Sequence, residues 1–172
     1  MVLDINQFKT RIGDNLPTSF YEVTMAPPVG GGDLINLRTE SITAPGVAFF
    51  AVDNYSPHGN GLTYSIPYRY NPQEITMVHT IDEDGDIYDL FRQWAKEIVD
   101  LDGTAQYSAK YFDNYTCDAQ IEIYNRQRQK TNTINLIDMY PTVIEPVQLG
   151  WGQFDEIAKL SVTYRFLRYT TT

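Results

Sequence analysis

The sequence predicts a mainly β protein: an antiparallel β-sandwich or barrel with one flanking α-helix, at about 86–101, and a projecting hairpin, at about 47–66. Three observations carry that prediction. Short segments along the chain alternate apolar and polar side chains, the period of a half-buried strand. Turn-forming clusters such as PPVGGGD and PHGNG separate those segments. Only GDIYDLFRQWAKEIVDLDG has a clear helical period. Strands broken by turns, with a single helix to cover them, make a layered antiparallel fold.

The elements follow in chain order. Residues 1–17 form an N-terminal arm on a single domain spanning 1–172, the arm being closed off by Gly13 and Pro17. SFYEVTMA is a strand with Phe20, Glu22 and Thr24 on one face and Tyr21, Val23 and Met25 on the other. PPVGGGD is a turn, and LINLRTESI is expected to be the returning strand. LTYSIPYRY carries Leu62, Tyr64, Ile66, Tyr68 and Tyr70 on one face, and Pro67, which cannot donate to a ladder, puts it at an edge or outside the main sheet. EITMVHTI is a better-buried strand.

The helix carries Ile87, Leu90, Phe91, Trp94 and Ile98 at i, i+3, i+4, i+7 and i+11, one apolar face that covers a sheet. Asp84 or Asp86 is expected to cap its first amides and Gly103 to stop it. TAQYSAKYFDNYT is a polar, Tyr-rich surface loop. In CDAQIEIYNRQ the polar Asp118, Gln120 and Glu122 point one way, and Cys117, Ala119, Ile121 and Ile123 the other. TINLIDMY alternates too. The last strand, EIAKLSVTYRFLRY, puts Ala158, Leu160, Val162, Tyr164 and Phe166 on one face.

NLIDMYPTVIEPVQLGWG starts like a strand, but Pro141, Pro146, Gly150 and Gly152 interrupt it. The expectation is an apolar connection outside any ladder. It turns a corner between two sheets and packs Tyr140 and Trp151 against a neighbour or the core of their own subunit.

Composition excludes several classes of function. A chain of 172 residues with 42% hydrophobic residues can bury its own core. It lacks the long apolar run of a membrane span, so no membrane insertion by this chain is expected. MVLDINQFKT has neither the basic nor the apolar region of a secretion signal. Cys117 is alone, so there is no internal disulfide. With 13 Lys and Arg against 22 Asp and Glu the net charge is −9, and the basic stripe needed to neutralise phosphates is missing.

Motifs for chemistry are weak. Asp82, Asp84 and Asp86 suggest a calcium loop, but Gly85, Ile87 and Gln93 fall where its spacing requires other residues. His58 and His79 are not at metal-ligand spacing. The Gly triplet lacks the Lys-Ser/Thr of a phosphate loop, and no nucleophile motif is present. The expectation is no enzyme, no catalytic residue, no metal and no cofactor.

From Leu37 onward the order of segments resembles the tail tube proteins of contractile-tailed bacteriophages. The pieces are SFYEVTM, LRTESITAPG, YSIPYRYNPQEITMVHTIDEDGDIYDLFRQW and NLIDMYPTVIEPVQLGWGQFDEIAKLSVTYRFLRY, which together cover about 18–169. PPVGGGD and AQYSAKYFDNY depart from the family's pattern.

The resemblance implies a virion structural subunit, made in the host cytoplasm and assembled into the tail. It forms homo-hexameric rings that stack into a conduit for DNA ejection. Its partners are copies of itself, the tail sheath protein, and baseplate and tail-terminator proteins, and DNA passes through the lumen without specific binding. Inner strands from the ring complete one barrel and remove open edges. Inter-subunit or inter-ring contacts are assigned to Phe49, Phe50, Val52, Tyr55, Leu62, Tyr64, Ile66, Tyr140 and Trp151. Lumen-facing candidates are Asp118, Gln120 and Glu122. The alternatives are a type VI secretion-type tube, a baseplate tube-initiator, a small-molecule-binding β-barrel and an acidic hydrolase. A ligand barrel does not need the projecting hairpin, whereas stacking rings do.

Overall fold

The structure, a computed structural model, describes residues 16–55, 63–99, 109–150 and 157–172. Its elements are β1 (Tyr21–Met25), α1 (Gly32–Arg38), β2 (Thr39–Ile42), β3 (Val47–Tyr55), β4 (Thr63–Pro72), β5 (Ile75–Thr80), α2 (Asp86–Ile98), α3 (Phe112–Tyr115), β6 (Cys117–Tyr124), β7 (Lys130–Ile144), β8 (Lys159–Arg165) and β9 (Arg168–Thr171). The main sheet has the order β1-β6-β7-β8-β5-β2, with β9 added beside β7, while β3 and β4 pair only with each other. Every pairing is antiparallel. The expected fold class is what the structure shows.

Strand β7 turns one sheet into two layers. Up to Met139 it pairs with β6 and β9, and from Tyr140 onward it pairs with β8. The bend is at Asp138, whose φ of 55° is left-handed, and Asp118 Oδ1 accepts the Asp138 N–H at 3.1 Å. The last segment bends beside it: Leu167 N–H bonds to Ile137 O at 3.0 Å where β8 gives way to β9. The single long final strand expected from the sequence is therefore two strands, one in each layer. Its apolar face is as expected, with Leu160, Val162, Tyr164 and Phe166 buried. At the ends of the sheet path, the Tyr21 hydroxyl donates to the Glu40 carbonyl at 2.5 Å and ties β1 to β2. The wrapped sheet approaches a barrel.

Val23, Ile121 and Leu136 from one layer and Met77, Val162 and Tyr164 from the other meet in one core. Helix α2 lays Ile87, Leu90, Phe91 and Trp94 into it, so its apolar face does cover a sheet. The Phe91 ring lies 5.0 Å from His79, and Trp94 lies 6.2 Å from Tyr164.

Five local expectations are corrected. Leu34 to Arg38, expected in a strand, belongs to helix α1, and the strand is only Thr39–Ile42. Gly32 permits the fold-back, since a Cβ there would sit 2.3 Å from the Met25 carbonyl oxygen. Asn36 Oδ1 then accepts the Met25 N–H at 3.0 Å, and Ile35 is fully buried. Pro141, expected outside any ladder, lies in β7 opposite Tyr164, with a register shift just after it that accommodates its missing N–H. Helix α2 ends at Ile98, before Gly103, because Val99 is extended and bridges to Ala109. Its cap is neither Asp84 nor Asp86: Asp82 accepts the Asp86 and Ile87 amides at 3.2 Å each. Those bonds, the Ile87 amide first, hold the Asp82 carboxyl below its usual range. Part of the expected surface loop is also ordered into the single turn α3. Most of the arm, His58 and Gly103 lie outside the described residues.

Candidate functional site

Strands β1, β6, β7 and β9 form a four-stranded layer with one face on the core and one face free. Because side chains alternate, each buried row across the layer is followed by a free one. The row Met25–Ala119–Leu136–Tyr169 packs inward. The neighbouring row, Thr24–Gln120–Asn135–Thr170, lies on the free face, as does the pair Glu22–Glu122, whereas Thr133 beside Glu122 is buried. Asp118, Gln120 and Glu122 thus share one face, as their alternation predicts. Thr24, Asp118, Gln120, Asn135 and Thr170 line a shallow depression on it.

Glu22 and Glu122 stand directly opposite each other. Such a like-charge pair destabilises unless screened or bridged. Tyr124 bridges it, its hydroxyl lying 2.5 Å from Glu122 and 3.2 Å from Glu22, and Lys130 Nζ adds an ion pair with Glu122 at 2.9 Å. The Tyr124 bond, then the Lys130 bond, pulls the Glu122 carboxyl below its usual range, and the same pairing drives the Tyr124 hydroxyl well up. Asp118 instead holds the β7 bend. Arg168, paired in register with Ile137, sits near the Asp118 end. The face is polar and mixed in charge rather than uniformly acidic.

Among the described residues no further strand covers the two borders of the layer, although Asn36 takes the Met25 amide on one of them. Successive strands run in opposite directions, with β1 outermost on one side and β9 on the other. An exposed edge of this kind offers unpaired N–H and C=O groups to another strand.

The second exposed surface is the β3–β4 hairpin. Phe49, Phe50, Val52, Tyr64 and Ile66 are all exposed, as are Val47 and Tyr68. Val52 stands opposite Ile66, and a register shift between Phe50 and Ala51 passes over Tyr68 and sets Ala51 against Pro67. This places Pro67 beside an irregularity in a sheet separate from the main one, as its chemistry requires. Phe49 packs edge-on against Tyr70, 6.5 Å between ring centres. An exposed apolar patch of this kind is the mark of an interaction surface. Leu62, Trp151 and the side chain of Tyr55 lie outside the described residues. Tyr140 is half-buried in its own subunit, with ring centres 6.0 Å from Phe112 and 5.4 Å from Tyr115. That cluster was not legible in the sequence, because the residues are far apart in the chain.

Titratable groups in the interior are structural. Thr39 Oγ1 donates to the Ile35 carbonyl at 2.7 Å, so it accepts from His79 Nδ1 at 3.1 Å. His79 Nε2 is then free to accept the Tyr164 hydroxyl, also at 3.1 Å. Burial pushes the His79 pKa down to about 4 and the Cys117 thiol up to about 12, and holds the Tyr164 hydroxyl protonated. Among the described residues no three His, Cys, Asp or Glu side chains are grouped to hold a metal. No helix there is long and apolar enough to cross a membrane.

A family model described as phage tail tube protein matches residues 5–172. The chain belongs to that family. Phage tail tube proteins are structural subunits rather than enzymes, and the match takes in most of the N-terminal arm as well as the β-fold. No curated protein sequence matches the chain. Solved structures share the fold of this tail tube protein at low identity. A chain of the PVC sheath/tube terminator, from an extracellular contractile injection system in the extended state, aligns with TM-score 0.65 and 13% identity over 94% of this chain and 99% of its own. A chain of the anti-feeding prophage tube-terminating cap gives 0.64 and 16%, over 93% and 92%. A chain of the PVC sheath-tube complex gives 0.63 and 13%, over 99% of each.

Proposed function

We propose that this chain is the repeating subunit of a phage tail tube, assembled as hexameric rings that stack into a conduit for DNA. The carrying observation is the layer β1-β6-β7-β9, with a polar free face and, on each side, an edge that no described strand covers. Strand β9 of one subunit pairs with β1 of the next, a head-to-tail contact that closes when the rotation completes a circle. An even number of alternating strands makes every such junction antiparallel, so the ring becomes one barrel without edges. The polar face, with Asp118, Gln120 and Glu122, lines the lumen, and DNA passes it without specific binding.

The apolar hairpin packs on adjacent subunits or rings through Phe49, Phe50, Val52, Tyr64 and Ile66, joined by Tyr55 and Leu62. Trp151 serves the same contacts, and Tyr140 reaches them from its aromatic cluster. The outer surface meets the tail sheath protein, and the tube ends meet baseplate and terminator proteins. The subunit is made in the host cytoplasm and resides in the virion tail.

Negative-stain microscopy of the purified protein tests this reading. Six-fold rings with a central hole, or tubes built of them, are the expected particles. A protein that stays monomeric at high concentration overturns it.

A further inference from the structure

We infer that successive rings are held in register by a charge contact between the β6–β7 turn of one subunit and the β7 bend of a subunit in the next ring, Arg128 meeting Asp138. The inference rests on the stacked-ring reading and adds the residues of the axial contact.

Among the described residues only two non-glycine positions have positive φ: Arg128 at 60° and Asp138 at 55°. Left-handed backbone is unfavourable for any residue with a Cβ, and glycine is its usual occupant. Both positions instead carry a charge, and the charges are opposite. Neither side chain makes an ion pair among the described residues. They flank the same stretch of β7, ten residues apart, so roughly 30 Å of extended chain keeps them from meeting within one subunit.

The turn is built to hold its shape. Asn125 Oδ1 accepts the amides of Gln127 at 2.9 Å and Gln129 at 2.8 Å, and the Asn125 amide itself bonds to the Gln129 carbonyl at 2.9 Å. Arg126 and Arg128 are exposed on this turn, whereas Lys130 at its base is already tied to Glu122. At the opposite end of the layer, Asp138 is joined by the exposed Asp118, with Arg168 as the nearby cation. With Glu122 tied to Lys130, the turn end keeps Arg126 and Arg128 against Glu22, and the bend end keeps Asp118 and Asp138 against Arg168, so one end is richer in positive charge and the other in negative charge. Rings stacked in the same orientation bring unlike ends together, and a ring turned over brings like ends together. The contact thus selects polar stacking as well as register.

The test exchanges the two charges. Arg128→Asp puts an acid on both sides of the proposed contact, and Asp138→Arg puts a base on both. Each substitution puts into a left-handed site a residue type that the chain already holds in that conformation. Either variant alone should form rings, checked by microscopy, but need at least about a tenfold higher protein concentration to grow tubes. An equimolar mixture should alternate acidic and basic rings and return to within about threefold of wild type. Wild-type tubes should also need more protein near 1 M salt, where the Debye length falls to about 3 Å. Tube growth that is unchanged in the single variants, unrestored by mixing, or insensitive to salt overturns the contact while rings persist. Absence of rings in the wild type overturns the stacked-ring reading itself, and the contact with it.

Discussion

Trp94 donates its indole N–H to the Tyr115 carbonyl across 2.7 Å, fastening the centre of α2 to the single turn of α3 just ahead of β6. The ring is fully buried and stacks 6.2 Å from Phe91, at 12° between planes. Its helical spacing predicted the burial, but the hydrogen bond depends on a partner 21 residues away. Trp94→Ala should cost about 3 to 5 kcal/mol through the cavity it leaves. Trp94→Phe should cost less, about 1 to 2 kcal/mol, mostly for the lost hydrogen bond to a partly buried carbonyl. Denaturant melts of the three proteins check this, and equal midpoints would mean that the ring carries no core packing.

His79 makes the fold sensitive to mild acid. Its neutral ring joins Thr39 to Tyr164 and faces Phe91, none of which ionises between pH 4 and 7. Burial lowers its pKa from 6.5 to about 4, so in that window the unfolded chain binds the proton and the folded one does not. The contribution is intact above pH 6.5, declines as pH falls through the unfolded value, and levels off below about 4. Linkage puts the total at about 3 kcal/mol. Asp82 and Glu122, whose carboxyls are held low, add their own slope at the acid end, so the comparison is with His79→Gln, whose stability should fall less between pH 6.5 and 4.5. Parallel curves would show that His79 already binds its proton in the folded state at these pH values.

The hairpin separates folding from assembly. Val52 and Ile66 are opposite one another, both exposed, in a sheet that shares no strand with the core. Changing both to Lys should shift stability of the single subunit by no more than about 0.5 kcal/mol, as for other exposed sites. Tube formation should be lost, because the apolar contact would have to bury two charges. Removing residues 54–63 should do the same. Normal tubes from either variant would show that stacking does not use the hairpin.

What could be read in the sequence follows the range of the interactions. Period-two alternation in CDAQIEIY and period-3.6 spacing from Ile87 to Trp94 are local, and both gave the right face. Pro67, which cannot donate to a ladder, is in keeping with β4 lying outside the main sheet. Pro141 was misleading, because a strand that changes layers tolerates a missing donor where its partner also shifts register. LINLR is ambiguous in sequence, because five apolar-rich residues fit a strand or a helical turn equally well. The Gly32 contact with Met25 and the Asn36 bond to its amide, which decide for helix, are tertiary. The free face of β6 was legible as polar, but its balance was not, since Lys130 and Arg168 arrive from other strands.

That balance changes how the lumen should be tested. Asp118 and Glu122 share a face but act differently, since the first accepts the Asp138 amide at the bend and the second pairs with Tyr124 and Lys130. Replacing Asp118 by Lys would remove the acceptor at the corner and confound assembly with charge. Asp118→Asn keeps an oxygen there and should leave rings and tubes intact. Gln120→Lys with Glu122→Lys changes charge on the free face and leaves the acceptor at the bend in place, and an exposed pair such as Lys130–Glu122 contributes little to stability. In the tube this adds a basic stripe to a wall that otherwise holds none. Duplex DNA, with one phosphate charge per ~1.7 Å, would bind it by counterion release. Virions built from that double variant should therefore assemble normally but eject DNA more slowly, with the delay relieved at high salt. Ejection at the wild-type rate from such virions, at low salt, would remove β6 from the lumen and return its polar face to the outer surface of the subunit.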